Sequence, residues 1–525
     1  MFEYGCRKNF LENLTVAMYE NSFTVYREFV QNAADSIDKA IASKLAEPDD
    51  FYIDISIEYS KRRICVYDNA CGIPIHLFKK RMLDVADSDK DRDTEKGFRG
   101  IGRLAGLGYC DKLIFRTTSK GEDKESIITW DGVKLKEIVD DPTQHPSSEE
   151  LINTITEIEY KSADEDDHFF EVIMEDVIFE SDDLLDEEQV IKYLQAVSPV
   201  PYANYFIFSS KIQDFANENN FKIDEYTIIV NGNQLFKPYK TNLLEGTSDN
   251  SKPYDEIKDV AFKIFKGNDG KPIAWMWYGI AKFEKQIPVV NEMRCIRLRK
   301  ENIQIGDEST IGYPKYFKEQ RGNSYFIGEV FAVDNGLIPN ARRDYFNQNP
   351  ATKQFEKVLK PFFNSELYNL YHYASKVRSA QKTVSNFQKK EEEYKEKLNN
   401  AGFIDTEERE TAQKELEEER AKSLKAQREI ENRRKDADEN EVLNRVFNEI
   451  EKTYKHSDSQ EEPTQKKKNG SGKGEKGNKY LTQSLSKYGK KEQKLIAKIY
   501  NIIKMILPKD YSEMVIKKIQ EELSK

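Results

Sequence analysis

The chain has 525 residues, 38% of them hydrophobic and 33% charged, and carries a net charge of −11. That length is enough for about three or four domains, and the charge content points to globular parts joined by long solvated segments. Overall acidity argues against a whole-surface nucleic-acid binder and leaves only a local basic patch for that role.

Cys6, Cys65, Cys71, Cys110 and Cys295 form no CxxC pair, and the five histidines form no HExxH. A thiolate metal site and a disulfide framework are therefore not expected, and a reducing cytoplasm fits. The start, MFEYGCRKNFLENL, lacks a basic stretch followed by an apolar run, so no signal peptide is expected. No apolar run approaches the roughly 20 residues that span a membrane, so no membrane association is expected.

In chain order, residues 1–190 alternate helical and strand patterns. EFVQNAADSIDKA, from Glu28, reads as an amphipathic helix. IDISIEY, from Ile53 to Tyr59, alternates as a half-buried strand does, and further short strands are expected at Ile64–Tyr67, Leu113–Thr117 and Glu171–Ile178. An α+β layer sandwich is the natural reading. Residues 191–375 form a second α/β unit. Asn231-Gly232 in DEYTIIVNGNQLF marks a hairpin, and GNDGK centres another in AFKIFKGNDGKPIAWMWYGIAKF.

Residues 376–455 read as two long charged helices, the second running from Thr406 to about Tyr454. Leu416, Ile430 and Ala437 share a seven-residue grid, but Ser423 and Asn444 interrupt it, which is a poor coiled-coil seam. A solvated helical hairpin is expected instead. Residues 456–480, rich in Lys, Gly and Ser, read as a disordered linker. Residues 481–525 read as a small helical module with Leu495, Ile499, Ile502, Ile503 and Ile506 on one face.

Three motifs in the first 110 residues carry chemistry. Glu28, Asn32 and Asp35 fall at i, i+4 and i+7, one stripe of a helix. VYDNACGIP puts Asp68 at a strand end before a sharp turn containing Gly72, where a carboxylate could accept a hydrogen bond from an exocyclic amine. KGFRGIGRLAGLGY crowds Gly97, Gly100, Gly102, Gly106 and Gly108 together, allowing backbone to approach phosphate closely. Its spacing matches neither the Rossmann nor the Walker pattern. Each motif alone also suits a polar helix face, a strand turn or tight packing.

Together, in this order, they resemble the GHKL ATPases, the superfamily of gyrase, heat-shock-90 chaperones, histidine kinases, MutL and MORC proteins. The resemblance implies a Bergerat-type α/β sandwich over 1–190 that binds ATP with Mg²⁺. Carried over by position, Glu28 would be the general base, Asn32 the Mg²⁺ ligand, Asp68 the adenine reader, and Asp35 a further nucleotide-site residue. Gly72 would leave room for the base, and Gly97, Gly100 and Gly102 would belong to a lid. Histidine kinases usually have Asn in place of Glu28, so Glu28 implies a hydrolase. Two departures stand out. The family's Asp-x-Gly is here Asp68-Asn69-Ala70, and its later threonine is replaced by His168-Phe169-Phe170 in the region where it would be sought.

LIPNARRDYF, residues 337–346, resembles the middle-domain segment of heat-shock-90 chaperones. That match makes Arg343 the arginine that reaches the γ-phosphate, with Lys300 and Arg321 as alternatives. The resemblance implies a transducer-like middle domain and a homodimer formed by ATP-driven N-terminal association. Three outputs stay open: a chaperone or remodelling ATPase with a protein client, a MutL- or MORC-like DNA clamp using the lysine-rich linker (conceivably in anti-phage defence), and a non-catalytic scaffold.

Overall fold

The structure, a computed structural model, describes residues 21–84, 102–399, 402–459, 485 and 487–523. Contacts divide it into two units, one of residues 1–281 with 285–368, the other of 282–284 with 369–525.

The first unit opens with helix α1 (Thr24–Ala42). It is buried nearly all round: Val25, Phe29, Ala33 and Ile37 supply apolar contacts, yet Arg27, Glu28, Gln31 and Asp35 are buried too. A helix with ionisable groups on its buried side must find partners for them. Strands β1 (Tyr52–Glu58) and β2 (Arg63–Asp68) follow as an antiparallel pair. Ile53, Ile55 and Ile57 point inward as their alternation requires, each worth about 1.5–3 kcal/mol of apolar burial. Helix α2 (Ile75–Leu83), a 3-10 helix at Gly102–Gly108, and strands β3 (Cys110–Thr118) and β4 (Lys124–Asp131) come next, then α3 (Gly132–Asp140), α4 (Ser148–Ile155), β5 (Thr156–Ser162) and β6 (Phe169–Val177).

After α5 (Glu187–Val197) and α6 (Ser209–Glu218), β7 (Thr227–Val230) and β8 (Asn233–Gln234) complete one eight-stranded sheet. Its order is β5-β4-β3-β6-β2-β1-β7-β8. The expected Asn231-Gly232 hairpin is present, with both residues in the left-handed region. Its place differs from expectation. β7 pairs parallel with β1 from Tyr52↔Thr227 onward, so the first sheet extends beyond residue 190. Ile228 and Val230, fully buried, gain more on the edge of a sheet already built than they could in an isolated hairpin.

Strands β9 (Asn242–Thr247) and β10 (Asn250–Glu256) form a separate ribbon. A second sheet has the order β11-β12-β15-β13-β14, from β11 (Asp259–Lys266), β12 (Pro272–Ile280), β13 (Cys295–Lys300), β14 (Ile303–Ile305) and β15 (Ile327–Ala332). The β11–β12 hairpin is the one expected around GNDGK. Its core is aromatic, with Trp275 stacked on Phe331 at 4.4 Å between ring centroids. Helix α7 (Pro350–Pro361), capped by Asn349, and a π-helical turn at Phe362–Leu367 close the unit.

In the second unit, α8 (Tyr368–Asn399) and α9 (Thr406–Asp438) run antiparallel, joined by Lys390–Glu419 at 3.2 Å, Lys397–Glu408 at 3.5 Å and the Tyr373 hydroxyl donating to Arg433 O. The expected hairpin is there. The second helix does not reach Tyr454 unbroken, because Asn440 caps a new helix, α10 (Glu441–Ser459), through Val442 N and Leu443 N. Helices α11 (Lys490–Ile506) and α12 (Lys509–Leu523) form the last module. It packs through Tyr500 and Ile516 with Leu485, whereas Leu495, Ile499, Ile502 and Ile506 are exposed. The stripe singled out in the sequence is therefore mostly the outer face. No helix among the described residues is long and apolar enough to cross a membrane.

Two glycines separate local strain from close approach. At Gly72, φ is +63° and a Cβ would fall 1.9 Å from Thr118 O; at Gly121, φ is +88° with nothing within 4 Å. Gly72→Ala should destabilise the protein by about 3 kcal/mol and Gly121→Ala by only about 1 kcal/mol. Urea unfolding of both variants checks the difference.

Candidate nucleotide site

The site is assembled on the polar stripe of α1. Glu28, 7% exposed, has its Oε1 3.2 Å from Arg343 Nε and 4.0 Å from Arg27 Nε. Arg27 Nη2 in turn donates to Arg342 O at 3.4 Å. The structure thus brings Glu28 and Arg343 together across 315 positions.

Arg343 sits at the tip of a short antiparallel excursion. Pro339 bridges Phe346, Asn347 N donates to Ile338 O at 2.8 Å, and Asn340 N to Tyr345 O at 2.9 Å. The tip closes with Arg343 N on Asn340 O at 3.1 Å, leaving Arg343 at φ 55°. A non-glycine residue in that region costs free energy, and surrounding contacts must hold it there. Lys300, the alternative cation, donates to Asp334 O at 3.1 Å, and Arg321 pairs with the neighbouring Glu319.

Gly102 lies against the opposite carboxylate oxygen. A Cβ there would stand 2.3 Å from Glu28 Oε2. The rest of the glycine-rich run packs beside α1 as a 3-10 helix, with Leu104, Ala105 and Leu107 buried. Arg103 Nη2 donates to Asp84 O, joining the two ends of the intervening segment, and burial pushes its pKa down to about 10. Gly97 and Gly100 lie outside the described residues.

Asp68 ends β2, 2% exposed. It accepts from Ala70 N at 3.1 Å and from Ser36 of α1. Burial raises its pKa from 3.8 to about 7, with these two bonds only partly offsetting the loss of water. The following turn is pinned by a residue that sequence reasoning passed over. Thr117 Oγ1 accepts from Ile73 N at 2.9 Å and donates to Phe169 O at 2.7 Å. His168, where a threonine had been sought, instead bonds Ala70 O through Nδ1 at 2.9 Å. Thr117 is paired across the ladder with Phe170, so a threonine hydroxyl stands on the strand next to the one where it was sought. In the sequence it is hidden inside the strand IFRTT. Where Gly72 lacks a side chain, the neighbouring atoms are the Thr118 and Phe169 carbonyls.

Asn32 is half-buried and Asp35 is 4% exposed, both on the stripe that carries Glu28. Gln31 belongs there as well. It is 1% exposed, and among the described residues neither its amide atoms nor Arg27 Nε has a hydrogen-bond partner. A buried polar group left unsatisfied costs about 1–3 kcal/mol, so these residues fit a polar, anionic ligand that would satisfy them. No cluster of three or more His, Cys, Asp or Glu among the described residues could hold a metal on its own. A single amide ligand beside phosphate oxygens is nonetheless an ordinary Mg²⁺ arrangement.

Residues 19–164 match the family described as histidine kinase-, DNA gyrase B-, and HSP90-like ATPases. This part of the chain is a GHKL-type ATPase domain. The chain is also similar to curated proteins named chaperone protein HtpG. The Clostridium perfringens protein is 26% identical over 184 residues, covering 32% of this chain and 29% of that protein. The Buchnera aphidicola protein is 21% identical over 387 residues, covering 67% of this chain and 54% of that protein. The Halalkalibacterium halodurans protein is 24% identical over 184 residues, 32% of this chain and 28% of that protein. The matched chain thus spans between about a quarter and about a half of these relatives.

The Asp68 carboxyl has a consequence for stability in this GHKL domain. Its folded pKa exceeds the unfolded value, so the folded state holds the extra proton between pH 4 and 7. Stability should therefore fall as pH rises through that window, by at most about 4 kcal/mol, and level off above it. Asp68→Asn should remove this contribution, which urea unfolding of both proteins from pH 4.5 to 8 measures.

Proposed function

We propose that the chain is a Mg²⁺-dependent ATP hydrolase that works as a heat-shock-90-like conformational switch. The observation that carries this reading is the buried Glu28–Arg343 pair, which brings a carboxylate of α1 against a cation 315 residues later in the same unit. Hydrolysis of a phosphoanhydride needs an oriented water and neutralisation of charge on the transferred group. Glu28 supplies the acceptor for the water's proton. Arg343 is the cation within reach of the same place, able to exchange the carboxylate for phosphate oxygens. When it does, Glu28 is released as a base, so transition-state charge and base activation are linked.

Asp68 accepts from the exocyclic amine of adenine, a bond that favours its charged form, and Asp35 supports the same floor. Asn32 would hold Mg²⁺, which would supply charge neutralisation for the phosphate oxygens. Gly102, against Glu28, would bring backbone close to the phosphates. Because Arg343 reaches α1 from a distant part of the chain, its exchange of partner would be a conformational step. Two chains associating through their N-terminal domains, with a protein client, complete the chaperone reading. The relatives named chaperone protein HtpG support it.

Full-length protein should hydrolyse ATP when Mg²⁺ is present. Glu28→Ala should lower kcat about a hundredfold or more, and Arg343→Ala by a similar factor, with nucleotide affinity kept in both. Duplex DNA should leave the rate unchanged; stimulation would favour a clamp. Binding without turnover in the wild type would sink the hydrolase reading, and failure to bind would favour a scaffold.

A further inference from the structure

Where the end of the first sheet meets the second sheet, the first unit holds a charged cluster with no solvent access. Lys237, Arg299 and Glu329 each have fully buried side chains. Glu329 of β15 takes Arg299 of β13 on Oε1. On Oε2 it takes Lys237, at 3.0 Å, and the Tyr202 hydroxyl. Arg299 Nη1 donates to Asn302 O and Nη2 to Ala196 O, both at 2.9 Å. Asn302 is the second anchor. Its Oδ1 accepts from Lys237 Nζ at 2.6 Å, and its Nδ2 donates to Asp224 O at 2.5 Å.

Asn302 and Glu301 form the two-residue turn between β13 and β14, closed by Lys300↔Ile303. Both are left-handed, at φ 59° and 53°, and neither is glycine. That conformation is normally assigned to Asn-Gly or Gly-Gly, so the side-chain bonds of Asn302 are what keep it. From this turn β14 runs only to Ile305. The next amide, Gly306 N, donates to Arg343 O at 2.7 Å. Gly306 is pressed on the tip so closely that a Cβ would stand 2.5 Å from Asp344 O.

The other arm leads to Glu28. Ala196 lies in the last turn of α5, and Tyr193, one turn earlier, bonds Thr24 of α1 and faces Arg27 and Glu28. The cluster therefore holds one neighbour of each member of the pair, α5 beside α1 and the turn leading into β14 beside the tip. Burial would raise the Glu329 pKa, but Arg299 and Lys237 draw it down to about 2. Lys237, by contrast, is lowered by burial and by Arg299 beside it. A buried ionic group of this kind is seldom kept for stability alone, since apolar residues of like volume serve as well or better.

We propose that the Lys237–Glu329–Arg299 cluster, acting through Asn302 and β14, is a positioning device that sets Arg343 against Glu28. It rests on the reading of those two residues as the hydrolytic pair, and the test separates the two claims.

The decisive variant is Asn302→Gly in the full chain. Glycine suits the turn, so the backbone is not disrupted, while both side-chain ties are lost. The expected result is a fall in ATPase kcat of about tenfold or more with nucleotide Kd unchanged, and faster amide exchange confined to residues 338–347. Glu329→Gln, which keeps shape but removes the shared anion, should give the same pattern. Asn302→Asp, which keeps the acceptor for Lys237 but sets a carboxylate oxygen against Asp224 O, should not restore kcat. Wild-type kcat and wild-type tip exchange in Asn302→Gly would overturn the proposal. So would equal losses of binding and turnover with exchange raised across both sheets, the mark of general loosening. If the wild type binds ATP without hydrolysing it, the hydrolase reading fails and exchange at the tip alone decides the positioning claim.

Discussion

The structure of the first unit turns on a carboxylate that has been taken out of water. Glu28 lies on a helix buried nearly all round, and a lone anion there would be untenable. Its close partner, Arg343, comes from 315 residues away. Once that pairing is required, much else follows. The tip at 338–347 must reach α1, the second sheet must present the tip, and Gly102 must lack a side chain. A buried pair of this sort contributes little net stability compared with apolar packing. Its value lies in holding one arrangement, and in being exchangeable for another anion of matching geometry.

That exchange gives the rest of the site its logic. Arg27, Arg342 and Arg343 gather at one end of α1, while Asp68 waits at the end of β2, one oxygen held by Ala70 N. Cations at one end and a buried acceptor at the other match a ligand with a phosphate tail and an amine-bearing base. Gln31, buried between Arg27 and Asp35 along the stripe and without a hydrogen-bond partner among the described residues, belongs to the same pattern. A ligand that satisfied such groups would stabilise the fold.

Sequence periodicity made the stripe of Glu28, Asn32 and Asp35 visible, because a helix repeats its faces whatever surrounds it. It also placed β1, β2, β3 and β6, each close to its observed span, and both hairpins. It missed β4 and β5. KESIITWD buries both faces along much of its length, so it does not alternate, and TEIEYKS alternates but is an edge strand with little burial and only Ile158 and Tyr160 as apolar residues. Arg343 was found through a local resemblance, not through physics, and nothing in single-sequence pattern could show that it meets Glu28. Gln31 gave no signal either. An amide inside a helix is unremarkable until its burial and its missing partners are known.

The exposed stripe of α11 shows the same limit from the other side. Leu495, Ile499, Ile502 and Ile506 repeat at helical spacing as a core face would. The module instead packs through Ala497 and Tyr500, on the other side of that helix. With isoleucine or leucine on both sides, the amphipathic pattern has no single apolar direction, and a choice between faces depends on what the second helix offers. Periodicity therefore names a helix more securely than it names the side that is buried. The Glu28 stripe escaped this ambiguity because its buried side carries charge. Apolar residues can be satisfied by many neighbours, whereas a buried carboxylate accepts very few.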